Sequence, residues 1–233
     1  KEGLFKSGFP LTLLGALKKT EQNPVYHPEG NCWNHTMQAV DNASCYMDKS
    51  SEPEVWMWSA LLHDIGKPST TRFKKGKIVA YDHDKAGEKL AAEFLEFYNN
   101  ESNYKSMQKT DISGQEKRFL PAKTSTERPA IQCSSPESEY PTPKDSGGIF
   151  EPDYKLKSEF IKKVSKMVRW HMQMLMVIKD LPFADIKTMQ KEVDINEIAL
   201  LAMCDRLGRG ELTEEAINQE RKNVQLFIEK CRV

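Results

Sequence analysis

The chain has 233 residues, and 34 Lys and Arg balance 34 Asp and Glu, so its formal net charge is zero. This length accommodates one sizeable hydrophobic core, and we expect a single domain over residues 1–233. The balanced charge excludes a general long-range attraction to nucleic acids or anionic membranes. The apolar run at 9–17 is far too short to span a bilayer, so we expect no membrane partner and no signal peptide.

The cysteines are odd in number and widely spread, and none of them forms a CxxC pair: Cys32, Cys45, Cys133, Cys204 and Cys231. This pattern is not typical of zinc ribbons or disulfide scaffolds. We expect reduced cysteines and a cytoplasmic location.

Helical patterns dominate the first hundred residues. Apolar residues recur at helical spacing over about 32–47, which predicts a helix there. The segment 51–54 has the order of a capping box with a proline in the first turn. It predicts a second helix that ends near Gly66, because glycine suits a helix C-terminus and a proline follows two residues later. His63 and Asp64 would then lie in the last turn of that helix.

The pattern changes after this helix. Residues 71–81 predict a small hairpin or extended loop, with Lys74-Lys75-Gly76-Lys77 as its turn. Contact of this lysine cluster with RNA is the alternative interpretation. A helix is predicted again over about 85–98. Residues 100–153 are rich in Ser, Thr, Pro, Lys and Glu and have no apolar period, which predicts an inserted, mobile polar loop.

Three more helices are predicted after the insertion, over about 156–178, 194–207 and 213–229. Asp194 is expected to cap the second of them, with Glu197 three residues later completing a capping box. With about seven helices and almost no strand, the sequence predicts an all-α helical bundle.

Several His and Asp side chains are arranged as metal ligands would be. Neighbouring residues on a helix point about 100° apart, so His63 and Asp64 can hold one ion from two sides, or the carboxylate can bridge two ions. His171 and Asp205 fall on helix faces that should be buried, where an unpaired polar group is costly. A metal would satisfy both. His35 lies on a helix face with small neighbours, which leaves room for a ligand cluster.

The ordered set His35, His63, Asp64 and Asp205 resembles the signature of the HD superfamily of metal-dependent phosphohydrolases, in which such side chains hold one divalent ion. The strings HPEGNCWNH at 27–35 and LLHDIGKP at 61–68 also resemble the HD domain of bacterial CCA-adding enzymes and poly(A) polymerases. The resemblance covers roughly residues 24–98 and 156–207. The resemblance does not extend to a nucleotidyltransferase domain, which leaves a link to tRNA unsupported, and the insertion leaves the substrate open.

Members with two further histidines between the HD pair and the last aspartate bind two metals. The resemblance therefore implies a binuclear site bridged by Asp64, with six ligands: His35, His63, Asp64, His83, His171 and Asp205. The expected cofactors are two divalent ions, drawn from Mn, Fe, Co, Ni, Zn and Mg. The implied reaction is hydrolysis of a phosphate ester, in a nucleotide or at an RNA end, by a metal-activated water, in enzyme class EC 3.1.

Further residues are predicted to act on the substrate. Lys67 follows His63 by four residues and is expected to balance charge on a phosphate oxygen, although a solvated helix-end cation explains it equally well. Asp64, Lys67 and His83 are the predicted catalytic residues. The predicted substrate-binding residues lie at the rim of the site: His27, Glu29, Lys67, Arg72, Arg206 and Arg209.

Two other kinds of function remain open at this point. Some HD-fold proteins use the same six-ligand pattern to hold two irons and oxidise C–H bonds with dioxygen. Alternatively, the chain is a non-catalytic metal-binding or RNA-binding module of a larger protein, which the start at Lys1 keeps open. The sequence makes no prediction about the oligomeric state.

Overall fold

The structure is a computed structural model that describes residues 8–99 and 158–232. In these ranges the α-helices in chain order are α1 (Leu11–Leu17), α2 (Cys32–Cys45), α3 (Pro53–Leu62), α4 (Lys67–Thr70), α5 (His83–Asn99), α6 (Ser158–Trp170), α7 (Gln173–Ile178), α8 (Ile186–Glu192), α9 (Ile195–Leu207) and α10 (Glu214–Cys231). Strands β1 (Thr71–Lys74) and β2 (Lys77–Ala80) form an antiparallel hairpin between α4 and α5. The predicted all-α fold with one small hairpin is confirmed.

The described residues 8–97 and 158–232 group into one compact helical unit. The predicted polar insertion at 100–153 lies outside the described residues.

Helix α9 lies at the centre of the helical unit and packs on α2, α3, α7 and α10. Its buried residues surround the helix axis rather than forming one stripe: Ile198, Ala199, Leu201, Ala202, Met203, Cys204, Asp205 and Leu207. A helix that is apolar all round is buried on all sides. Asp205 is therefore carried into the interior near the C-terminal end of this helix.

Two glycines permit close approaches that bring distant segments together. A Cβ atom on Gly66 would lie 2.1 Å from the carbonyl oxygen of His83 and 2.6 Å from the amide nitrogen of Gly87. A Cβ atom on Gly208 would lie 2.9 Å from the amide nitrogen of Ala39. Only glycine fits at these two contacts, which dock the start of α5 against the segment after α3 and the end of α9 against α2.

Two expectations about α3 are wrong. Its N-cap residue, Glu52, makes no side-chain capping bond, and Ser51 instead donates from its backbone amide and its hydroxyl to Glu197, at 2.7 and 3.0 Å. This distant carboxylate replaces the local capping box. The helix ends at Leu62, so His63 is its C-cap and Asp64 follows it.

The predicted helix over 156–178 is divided into α6 and α7. The division falls at His171 and Met172, which form a turn between the two helices. Helices α1, α4 and α8 have seven residues or fewer and were not predicted. Short helices are marginal by themselves and depend on tertiary packing, which a local pattern does not show.

Cys32, Cys204 and Cys231 are free and buried, as expected for reduced cysteines. Cys45 is disulfide-bonded, which departs from that expectation. None of the described helices is long and apolar enough to cross a membrane.

Candidate metal centre

Four buried histidines are oriented by hydrogen bonds from their Nδ1 atoms. The partner is a backbone carbonyl three residues earlier in His63 (2.8 Å), His83 (2.7 Å) and His171 (2.7 Å). In His35, Nδ1 lies 2.9 Å from a carboxylate oxygen of Glu29 and 3.0 Å from the carbonyl oxygen of Gly208. A carbonyl at Nδ1 favours the tautomer whose Nε2 lone pair is free, as in metal-ligating histidines.

The first cluster contains His35, His63 and Asp205. The Nε2 atom of His35 lies 2.9 Å from Oδ1 of Asp205 and 3.4 Å from Nε2 of His63. Oδ2 of Asp64 lies 3.6 Å from Nε2 of His35 and 3.3 Å from that of His63. Two imidazoles and two carboxylates thus converge on one point from α2, α9 and the end of α3.

The second cluster contains His83 and His171, whose Nε2 atoms lie 3.3 Å apart. Oδ1 of Asp64 lies 3.6 Å from the first and 4.0 Å from the second of these nitrogens. The two oxygens of Asp64 therefore face different clusters.

The donor atoms of the two clusters are close enough together, and of the right kind, to bind divalent cations. Each group of ligand atoms lies within 4.8 Å, and every member is buried. In the second cluster, neutral imidazoles that point their Nε2 lone pairs at each other repel unless a cation lies between them. Imidazole and carboxylate are the donors that transition-metal ions prefer. The residues therefore fit two cations, with Asp64 between them.

The charges in the centre favour ionised carboxylates. Burial raises the pKa of Asp64, but Lys67 and His63 outweigh it and hold that pKa well below its usual range. Burial likewise opposes ionisation of Asp205, yet Arg209 and His35 keep its pKa well below normal. Both carboxylates are therefore charged and able to bind cations at neutral pH.

His35 in the first cluster and His171 in the second differ in protonation. Burial lowers the pKa of His35, but hydrogen bonds to Asp205 and Glu29 outweigh this and raise it to about 9. Burial and the nearby His83 and His63 lower the pKa of His171 to about 4. The imidazole of His171 in the second cluster therefore stays neutral at neutral pH and is available as a ligand.

Each ligand owes its position to a local feature of the chain. His171 lies in the turn between α6 and α7, and His63 caps the end of α3. His83 begins α5 directly after Asp82, whose φ of 56° turns the chain into the helix. The glycine contact at Gly66 then holds this helix start next to Asp64.

Lys67 is buried beside Asp64 rather than solvated at a helix end. Its Nζ atom lies 2.7 Å from Oδ2 of Asp64 and donates to the side-chain carbonyl of Gln22 at 2.6 Å. Burial lowers the pKa of Lys67, but Asp64 and other nearby groups raise it above the usual value, so the amine remains protonated. Gln22 was not predicted, because it lies in a polar stretch without periodicity.

His27 and Glu29 form a third group beside the first cluster. One carboxylate oxygen of Glu29 lies 2.8 Å from Nδ1 of His27 and 2.9 Å from Nδ1 of His35. Burial raises the pKa of Glu29, but these two contacts outweigh it and lower the pKa to about 2. Glu29 therefore links His27 to a ligand of the first cluster.

An open cavity leads to the centre. It is lined by Glu21, Gln22, Asn23, Tyr26, His27, Asp64, Lys67, Thr71, Lys77, Ile78, Val79, Ala80, His83, Met172, Asp205 and Arg209. Lys77 was predicted as part of the hairpin turn, with RNA contact as the alternative, and not as a residue of the cavity. Its position there depends on how the hairpin packs beside the site. The cavity therefore has three cations in its wall, from Lys67, Lys77 and Arg209.

Three predicted rim residues do not line this cavity. Arg72 is exposed and donates to the carbonyl of Thr71 at 2.7 Å. Arg206 pairs with Glu220 of α10 at 2.6 Å, which indicates a structural contact between two helices. Glu29 lies behind His27 and His35.

Comparison with known proteins agrees with this geometry. Residues 32–117 match the family model described as HD domain, a segment that contains His35, His63, Asp64 and His83. No curated protein matches the chain in a sequence search. The similarity to CCA-adding enzymes therefore stays a prediction. The family match and the helical bundle together support the HD superfamily, whose members are typically metal-dependent hydrolases.

Proposed function

We propose that the protein is a phosphohydrolase that uses two divalent cations to cleave a phosphate ester, in a nucleotide or at an RNA end. The observation that carries this proposal is the position of Asp64. One of its oxygens faces His35 and His63, and the other faces His83 and His171.

The ligands divide into two sets that share Asp64. His35, His63 and Asp205 would complete the first set, and His83 and His171 the second. Each set leaves coordination positions for water or substrate, because its residues supply fewer donors than the six that octahedral cations accept. A divalent ion at the first position would replace the proton that His35 shares with Asp205.

Bound divalent ions would supply a water of lowered pKa as the nucleophile and would neutralise charge on the phosphate. The residues of the chain have separate tasks. The protonated amine of Lys67 and the guanidinium of Arg209 are positioned to bind phosphate oxygens within the cavity. Glu29 holds His35 and His27 in fixed orientations through a single carboxylate oxygen.

The first experiment measures metal content and activity in the same preparations. Wild type and His83→Ala are purified without chelator, analysed for bound metals, and assayed with bis(p-nitrophenyl) phosphate and p-nitrophenyl phosphate. Wild type should hold two divalent ions per chain and hydrolyse at least one substrate. His83→Ala should lose one ion together with most of the activity, because it removes a ligand of the second set only.

Arg206→Gln is the matched control, since it changes a predicted rim residue that lies outside the cavity. It should retain both ions and the activity. Absence of bound metal and of metal-stimulated hydrolysis in wild type would refute the proposal. Oxygen consumption by an iron-loaded preparation without phosphate release would refute it in favour of a di-iron oxygenase.

A further inference from the structure

The hairpin beside the cavity has an unusual charge pattern. Its segment 71–81 contains four cations, Arg72, Lys74, Lys75 and Lys77, and no acidic residue. All four are exposed. The carboxylate that follows, Asp82, lies 2.7 Å from Lys85 and is engaged there.

Cations elsewhere in the described helices are commonly neutralised by carboxylates. Lys163, Lys166, Arg169, Arg206 and Lys230 all form ion pairs. Within residues 8–99 and 158–232, the four hairpin cations have no carboxylate partner. In a chain of zero net charge, this local excess of positive charge is a candidate site for an anion larger than one phosphate.

The strand register collects these cations on one face. Lys74 is paired with Lys77, and Arg72 with Val79. Paired residues share a face of the sheet and alternate residues return to it, so Arg72, Lys74 and Lys77 lie on the same face. Successive residues on that face of one strand are about 7 Å apart.

An exposed aromatic ring adjoins the same face. Tyr81 is 67% exposed, and Nζ of Lys74 lies 5.7 Å from its ring centroid. Cations combined with an exposed aromatic ring are the combination that single-stranded nucleic acids use, because the cations bind phosphates while a base stacks on the ring.

The hairpin borders the candidate metal centre. Lys77 and Val79 of this face line the cavity that contains Asp64, Lys67 and His83, as do Thr71, Ile78 and Ala80 of the opposite face. A chain that passes along the hairpin would therefore place one of its phosphates in the cavity.

We propose that this hairpin face, formed by Arg72, Lys74, Lys77 and Tyr81 together with Lys75 in the adjoining turn, binds single-stranded nucleic acid and leads a phosphate ester of that strand into the cavity. This inference rests on the proposed function, and it narrows the substrate from nucleotides in general to an oligonucleotide. Anionic membranes also attract basic hairpins, but a lipid surface does not account for the position of the hairpin at the cavity that contains Asp64.

The test measures binding of a fluorescently labelled, phosphorothioate-linked oligothymidylate that resists hydrolysis, by fluorescence anisotropy at several salt concentrations. For binding of a single strand, each neutralised phosphate contributes about −0.7 to the slope of log K against log salt, so four cations predict a slope of about −3. The double variant Lys74→Gln/Lys75→Gln should make the slope less steep by about 1.4. Tyr81→Ala should weaken binding by about 5- to 150-fold.

Matched control variants lie on other surfaces. Lys187→Gln/Lys191→Gln changes two exposed lysines of α8, and Phe183→Ala removes a ring that is 71% exposed. Neither should alter binding. The variant Lys74→Arg/Lys75→Arg retains the charge and should bind as wild type does, which excludes loss of folding as the cause.

Equal binding by wild type and the hairpin variants would overturn the inference, as would equal weakening by the α8 variant. Hairpin-dependent sedimentation with phosphatidylserine vesicles, without oligonucleotide binding, would overturn it in favour of a membrane surface. Because the assay needs no turnover, its result is separate from that for the proposed function. Hydrolysis of the small diester without oligonucleotide binding refutes the inference alone.

Discussion

Gly66→Ala is predicted to separate the second cluster from Asp64. Gly66 has ordinary helical backbone angles, with φ at −80°, so an alanine there creates no backbone strain. The added methyl group would instead lie 2.1 Å from the carbonyl oxygen of His83. It would also lie 2.6 Å from the amide nitrogen of Gly87. Since this nitrogen and the carbonyl oxygen of His83 are both backbone atoms, no side-chain rotation relieves the contact.

The expected size follows from the distance. The start of α5 must move by about 1.3 Å to reach the ordinary contact distance of 3.4 Å. Overpacking of this kind costs up to about 3 kcal/mol of unfolding free energy. For a chain of this length, that loss lowers the melting temperature by about 6–12 °C. The same movement carries His83 away from Asp64, with which it would share an ion.

The assay combines thermal unfolding with metal analysis. Gly66→Ala should melt at a lower temperature than wild type and should bind one divalent ion instead of two. Gly87→Ala is the matched control, because its methyl group would crowd only a side-chain methyl of Val168, at 3.0 Å, while the backbone atoms Gly66 N and His63 O lie at ordinary contact distances of 3.6 and 3.7 Å. That side chain can adjust, and alanine is a better helix former than glycine, so its melting temperature should change little.

A Gly66→Ala protein with the wild-type melting temperature and two bound ions would refute this reasoning. So would a Gly87→Ala protein that is destabilised as strongly as Gly66→Ala. Either result would mean that the close approach of α5 does not determine the geometry of the second cluster.

Three further predictions concern charge. Lys67→Met should lower kcat/KM for a phosphate ester by about 10- to 150-fold, because it removes one charge-assisted hydrogen bond to a phosphate oxygen. An unchanged kcat/KM in steady-state kinetics would contradict binding of phosphate by Lys67. Arg206→Met leaves the carboxylate of Glu220 without its cation and should cost about 2 kcal/mol in urea unfolding, with hydrolysis unaffected; a loss of hydrolysis at full stability would instead assign Arg206 to the substrate. The pKa of His171 is lowered to about 4 when folded, against 6.5 for an ordinary histidine. The unfolded chain therefore binds more protons between these pH values, so the free energy of unfolding of the metal-free protein should decrease as pH falls from 6.5 towards 4. His171→Gln should reduce this dependence, and identical pH profiles for the two proteins would contradict the burial of a neutral imidazole.

Features set by neighbouring residues could be predicted from the sequence. The hairpin turn is one, because Lys75 and Gly76 both adopt positive φ, at 51° and 75°, in the two-residue turn that such strands require. The cap of α9 is another, since the carboxylate of Asp194 accepts from the amides of Asn196 and Glu197. Hydrogen bonds over two or three residues depend little on the rest of the fold.

The role of Glu197 shows where local signals stop. Its position after Asp194 predicts a capping box, and the segment at Ser51 predicts a second one. Instead, Glu197 accepts both hydrogen bonds from Ser51. The contact between Ser51 and Glu197, which are far apart in the chain, thus takes the place of both local capping boxes. Packing of α9 against α3 brings the starts of these two helices together.

By itself, the sequence determined the helical class and the order of the residues His35, His63, Asp64, His83, His171 and Asp205, because periodicity and short motifs are local properties. Only the tertiary structure decided that their Nε2 and carboxylate atoms converge, that Lys67 and Gln22 lie among them, and that Arg206 lies elsewhere. These outcomes depend on backbone approaches at Gly66 and Gly208, between segments far apart in the chain. Such contacts leave no periodic trace in the sequence, since they are set by how helices pack against one another.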